Sequence, residues 1–183
     1  MLNRRTFMTS AAASVLAAPA LANANFQVPP EMMRRRVQLN TDLTPGDIHI
    51  YRQSHNLYFI LPNREAMAYK IGVGEQGRQF SGTVTIQRKA EWPSWTPTAN
   101  MIRREPEKYR QFAGGVPGGP NNPLGARALY LYRGGRDTLY RIHGTPQPWT
   151  IGRSSTAGCI RMFNHDVVDL YERARIGARV VAY

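Results

Sequence analysis

Asp47-Ile48-His49-Ile50-Tyr51-Arg52 alternates polar and apolar residues, and that alternation decides the fold class. A period of two sends successive side chains to opposite faces of a strand. The pattern recurs on working outward. Asn56 to Leu61 and Ala66 to Val73 read as strands, with Ser54-His55-Asn56 and Pro62-Asn63 as turns. Thr83 to Arg88 is another. Ala128 to Tyr132 and Thr138 to His143 flank Arg133-Gly134-Gly135-Arg136-Asp137 and read as a hairpin. Ala178 to Tyr183 reads as a final strand. Short alternating strands with turn residues at intervals of about ten predict a mainly β, antiparallel domain.

The interruptions are few. Residues 91–100 carry Trp92, Pro93, Trp95 and Pro97, which is loop chemistry. Met101 to Phe112 has room for a short helix. Gly114 to Gly125 is dense in Gly, Pro and Asn and reads as loop. Asn164 to Arg173 reads as a helix with Asn164 as N-cap and an apolar face of Val167, Val168, Leu170 and Tyr171.

The chain has 183 residues, enough for one domain with short extensions. Its hydrophobic content of 42% excludes a wholly disordered chain, and the Gly spacing excludes collagen. The single cysteine, Cys159, excludes an intramolecular disulfide and a thiolate zinc cluster. Formal net charge is +12. Asn3-Arg4-Arg5-Thr6-Phe7 opens the chain, an Ala-rich apolar stretch follows, and Ala22-Asn23-Ala24 closes it. These are the parts of an export signal, and the arginine pair resembles a twin-arginine signal. Pro19 and the shortness of the apolar run argue against a membrane span. The expected division is a signal over 1–24, a lead-in linker over 25–45 containing Arg34-Arg35-Arg36, and a catalytic domain over 46–183. Cleavage removes Arg4 and Arg5 and leaves +10. A periplasmic location redirects that charge from nucleic acid to an anionic polymer.

The chemistry concentrates in Ile142 to Met162. His143-Gly144 ends a strand, and Gly158-Cys159 follows. A thiol attacks as thiolate, so it needs a base or a positive field nearby. Gly158 allows close backbone approach, and the small run Ser154 to Gly158 can turn its N–H groups inward to hold an oxyanion. The residues alone leave a second reading open, a buried structural thiol beside a core histidine. His49, His55 and His165 read as structural or solvent-facing. No metal-ligand set stands at usual spacing, and the Gly-rich stretch lacks the Lys-Ser/Thr of a phosphate loop.

His143-Gly144, followed by Thr156-Ala157-Gly158-Cys159-Ile160-Arg161, resembles the signature of L,D-transpeptidases with a YkuD-type catalytic domain. Asn121 to Tyr130 and Gly177 to Val181 resemble the family's flanking segments, so the likeness runs over about 45–183. It implies a β-sandwich or barrel with short helices and long loops. It implies Cys159 as acylated nucleophile, His143 as base and Gly144 as its orienting carbonyl. Gly158, Cys159 and Ala157 would form the oxyanion hole. Arg161, Thr156 and Trp149 would meet substrate, and no cofactor is called for. Ala157 stands where the family often has a second histidine. The implied substrate is a peptidoglycan stem peptide, and the implied product a 3→3 cross-link. With the same site, water as acceptor makes an L,D-carboxypeptidase or amide hydrolase, and a protein lysine makes an enzyme anchoring a cell-wall-linked protein. A binding domain without catalysis is the remaining alternative.

Overall fold

A computed structural model describes residues 26–183. The expected export segment lies outside the described residues. Ten strands run in chain order: β1 (Arg35–Gln38), β2 (Ile48–Tyr51), β3 (Asn56–Leu61), β4 (Glu65–Gly74), β5 (Gly82–Glu91), β6 (Arg127–Arg133), β7 (Arg136–His143), β8 (Ser154–Thr156), β9 (Ile160–Met162) and β10 (Arg179–Ala182). Three short helices join them: α1 (Ala99–Arg104), α2 (Pro106–Tyr109) and α3 (Asn164–Arg173).

The strands close a ring in the order β4-β3-β2-β10-β5-β6-β7-β9, and β9 returns to β4 by pairing Ile71 with Met162. Closure removes most of the edges that an open sheet would expose, and β1 covers residues 65–68 of β4, which lie beyond the β9 pairing. The inward positions fill the barrel with Ile48, Ile50, Leu57, Ile71, Ile86, Leu129, Leu131, Ile142, Ile160 and Val180, each fully or almost fully buried. α3 packs on β6 and β7 and adds Val167 and Leu170 to that core. Lys89 donates to the Tyr171 and Ala174 carbonyls at the helix's end, where a cation meets the negative end of its dipole.

Pairing is not antiparallel throughout. β10 runs parallel to β2, and β7 runs parallel to β9. Parallel neighbours need a crossover connection rather than a tight turn. The one between β7 and β9 is the segment that carries the chemistry. The β6–β7 hairpin is tighter than expected: both of its turn residues, Gly134 and Gly135, have positive φ, as a two-residue turn requires. The expected helix over 101–112 divides at Pro106, which has no N–H to continue α1.

Residues 26–45 are folded against the barrel, where a solvated linker was expected. β1 pairs antiparallel with β4. Phe26 lies 6.3 Å from Phe163, and Arg34 donates to the fully buried carboxylate of Asp166 at 3.1 Å. The arginine triplet is thus partly structural, because a buried carboxylate needs a cation. Among the described residues no helix is long and apolar enough to cross a membrane.

Candidate active site

The geometry grows from the β7–β9 pairing. Ile142 is opposite Ile160, and His143 is opposite Arg161. Paired residues of parallel strands share a face, and side chains alternate along each strand. Ile142 and Ile160 point into the core, so Arg141, His143 and Arg161 belong to the other face, and Cys159 directly precedes β9. Cys159 comes sixteen positions after His143, and the β7–β9 pairing brings the two stretches side by side.

His143 is 4% exposed. Its Nδ1 lies 2.6 Å from the Gly144 carbonyl. A carbonyl only accepts, so Nδ1 carries the proton and Nε2 is left as the basic nitrogen. Burial, and then the Arg161 guanidinium, push the imidazole pKa down to about 3. His143 is therefore neutral, with the lone pair on Nε2. Cys159 sits in the turn before β9 and is partly accessible. Its Sγ faces the Leu139 carbonyl at 3.8 Å. Burial raises its pKa, against the Arg141 backbone amide and the charges of Arg141 and Arg161. The resting pair is neutral thiol and neutral imidazole.

The supports of this pair are glycines and amides. Gly144 has no room for a Cβ: one would meet Asn164 Oδ1 at 2.2 Å. Asn164 is the first residue of α3, and Phe163 takes the N-cap position. The expected capping role is thus corrected. The Asn164 carboxamide turns away from its own helix and accepts the Ala126 and Thr145 N–H groups at 3.0 and 3.1 Å. It ties the turn before β6 to the segment after His143. Gly158 has φ of +137°, and a Cβ there would sit 2.6 Å from the Tyr140 ring and 2.7 Å from the Arg78 carbonyl.

Thr156 is buried and closes the cysteine turn. Its hydroxyl donates to the Cys159 carbonyl at 2.7 Å and accepts the Gly158 N–H at 3.1 Å. The Gly158 amide is therefore engaged, and Thr156 supports the turn instead of lining open space. Ala157 is exposed. Arg161 donates to Thr150 Oγ1 at 3.0 Å, while its buried Nε has no partner among the described residues. Burial lowers its pKa. Trp149 precedes Thr150 in a single 3-10 turn and is half-buried. No cluster of three metal-ligating side chains occurs among the described residues.

Two contributors escape the sequence. Leu139 has φ of +63° in a bulge of β7, and Asp137 Oδ1 accepts its N–H at 2.8 Å. This bulge aims the Leu139 carbonyl at the thiol. Asp137 also grips Arg141 through both carboxylate oxygens at 2.7 and 2.9 Å, and the Arg141 guanidinium lies 4.4 Å from the centre of the Tyr130 ring. The Asp137-x-Leu139 turn is the signal that could have revealed the bulge.

Residues 45–181 match the YkuD L,D-transpeptidase catalytic domain. The chain is 37% identical over 127 residues to a probable L,D-transpeptidase of Escherichia coli, ErfK/SrfK, covering 68% of this chain and 39% of that protein. It is 30% identical over 141 residues to a putative L,D-transpeptidase of Bacillus subtilis, YqjB, covering 75% of this chain and 72% of the other. The chain spans about two fifths of the length of the Escherichia coli relatives it matches. A solved structure from Brucella melitensis, titled a probable carnitine operon oxidoreductase, is 47% identical with a TM-score of 0.58, covering 85% of this chain and 96% of that one. An L,D-transpeptidase from Mycobacterium smegmatis shares the fold at 13% identity and a TM-score of 0.52, over 74% of this chain and 57% of the other. With a mainly β barrel, short helices, a histidine ending β7 and a cysteine in the turn before β9, the chain belongs to the YkuD L,D-transpeptidase catalytic domain family.

Proposed function

We propose that this chain is an exported, periplasmic acyltransferase that acts on peptidoglycan stem peptides through a thioester on Cys159. The supporting observation is the placement of a neutral imidazole, locked through Nδ1 by Gly144, beside the stretch that holds the chain's one thiol. Cys159 Sγ attacks the carbonyl after the third residue of a donor tetrapeptide. His143 Nε2 takes the thiol proton as the C–S bond forms, then gives it to the departing nitrogen as the C–N bond breaks and D-Ala leaves. The side-chain amine of a second stem attacks the thioester, its proton passes to Nε2, and the thiolate leaves and is reprotonated. The product is a 3→3 cross-link.

The Ala157 and Cys159 amides are the proposed oxyanion donors, since Thr156 already engages that of Gly158. Arg161, with its unpaired Nε, is the proposed carboxylate partner, and Trp149 flanks the same turn. Neither metal nor cofactor enters these steps. The oxidoreductase name of the Brucella protein gains no support from a nucleotide-binding strand-turn-helix among the described residues: the Gly-rich stretch lies in a loop between α2 and β6. The reading includes twin-arginine export, release without a membrane span, and no nucleic-acid partner.

Product mass decides the reaction. Purified enzyme incubated with tetrapeptide muropeptides is expected to give cross-linked dimers. Tripeptide alone would replace this reading with hydrolysis, and transfer to a protein lysine would make it an anchoring enzyme. Unchanged tetrapeptide would remove the enzymatic reading altogether.

A further inference from the structure

On the barrel wall across the ring from β7, the lead-in crosses over β2 and β3 and leaves a cleft of about 390 Å³, within the size range of small-molecule sites. Tyr51, Tyr58 and His49 line its sheet side, and Gln38, Asn40 and Thr41 line its lead-in side. Two features point to a ligand. The first is His49, which is 3% exposed. Its Nδ1 pairs with the Tyr183 hydroxyl at 2.9 Å, but its buried Nε2 has no partner among the described residues. A buried polar atom left unpaired is costly, and because His49 is itself a lining residue, a ligand that shifts the ring toward the cleft would satisfy it. Whichever tautomer His49 holds, a hydroxyl fits, because it both donates and accepts.

The second feature is charge. No Asp, Glu, Lys or Arg lines the cleft, in a chain whose formal charge is +12. Such a lining favours a neutral ligand over the anions that the rest of the surface attracts. The rings of Tyr51 and Tyr183 stack at 4.8 Å, Tyr58 meets Tyr51 edge-on at 5.7 Å, and Tyr51 and Tyr183 remain 41% and 50% exposed. Rings with hydroxyl handles, beside carboxamides and hydroxyls, suit a ligand with apolar C–H faces and many hydroxyls. A neighbouring depression shares Gln38 and Leu43 with the cleft but carries the Asp42–Arg64 ion pair, so the uncharged lining belongs to the cleft alone.

We propose that this groove is a second binding site, remote from Cys159, for a neutral N-acetylhexosamine chain. The choice of polymer rests on the cell-wall function proposed above; the site itself rests on His49, the tyrosines and the uncharged lining. One glycan strand is held on the back of the barrel while the front works on a stem peptide.

The probe is chitotetraose, added to the full chain with amide shifts followed by NMR. Shifts are expected at His49, Tyr51, Tyr58 and Asn40. Tyr51→Ala should weaken binding by about tenfold, the loss of one stacking ring. Asn40→Ala, on the opposite wall, should weaken it too, and it serves if Tyr51→Ala misfolds. Cys159 acylation by a glycan-free tetrapeptide should be unchanged in both variants, while their retention on intact sacculi should fall. No shift at millimolar chitotetraose, or shifts confined to the surroundings of Cys159 and Arg161, overturns the proposal. Chitotetraose binding at Tyr51 without turnover of any tetrapeptide keeps the groove and removes the proposed reaction.

Discussion

His143 carries no charge at working pH, and that has two measurable consequences. In the acylation of Cys159 by a carbapenem, kcat/KM reports the free enzyme. With the imidazole pKa near 3, its acid limb should lie well below pH 6.5. An acid limb at pH 6–7, read from intact-mass acylation rates, would show that the base titrates normally. His143→Ala should abolish acylation near neutral pH, and Cys159→Ala should give no adduct at all while keeping the fold. The second consequence is stability. Below pH 6.5 the unfolded chain binds a proton at this position that the folded chain refuses down to about pH 3. Stability is full above pH 6.5 and falls as pH drops through that window. His143→Asn should flatten that fall in urea titrations, whatever it does to activity. Gly158→Ala should be disruptive in a different way. Its Cβ meets backbone and ring carbon, so turn and thiol both move. A stability loss of about 1–3 kcal/mol is expected with loss of acylation. Cys159, His143 and Gly144 were legible in the sequence because a short motif spells them. The Leu139 bulge was not, because it exists only where β7 meets β6 and the cysteine turn.

At the scale of elements, α3 and the lead-in show what periodicity misses. The sequence reading found α3 with its observed bounds, Asn164–Arg173. It assigned the Asn164 side chain to the wrong partner, because N-cap preference is local and the Ala126 and Thr145 amides come from distant segments. Asn164→Ala should leave those two amides unpaired and cost about 2–4 kcal/mol in chemical denaturation. Acylation by a carbapenem should slow as well, since Thr145 follows the residue that orients His143. The lead-in has polar periodicity and no strand signal, yet β1 forms because β4 offers a free edge beside it. Arg34→Ala removes a cation from the buried Asp166. Burial raises the Asp166 pKa, and the charge of Arg34 opposes that rise. The loss should be about 1–3 kcal/mol at pH 7 and smaller at pH 4, where a protonated Asp166 no longer needs the cation. Equal losses at both pH values would show that Arg34 acts by packing alone.

The whole molecule follows from strand order. Alternation identified most strands, since a residue facing the barrel core is apolar wherever it falls in the chain. It did not reveal the β10–β2 and β7–β9 pairings, because which strands become neighbours is set by closure and not by local pattern. The parallel β7–β9 step needs the long crossover, and the crossover sets Thr150 on Arg161 and Thr156 on the cysteine turn. β10 is the last of the barrel's strands in sequence, and it fits between β2 and β5. During synthesis, β2 and β5 are therefore made early and must wait with their facing edges bare. Every shorter nascent chain is an open sheet, and only the arrival of Arg179–Ala182 shuts it. A chain cut before Arg179 should therefore expose both edges and aggregate on refolding where the full chain stays dispersed, a difference that light scattering would read.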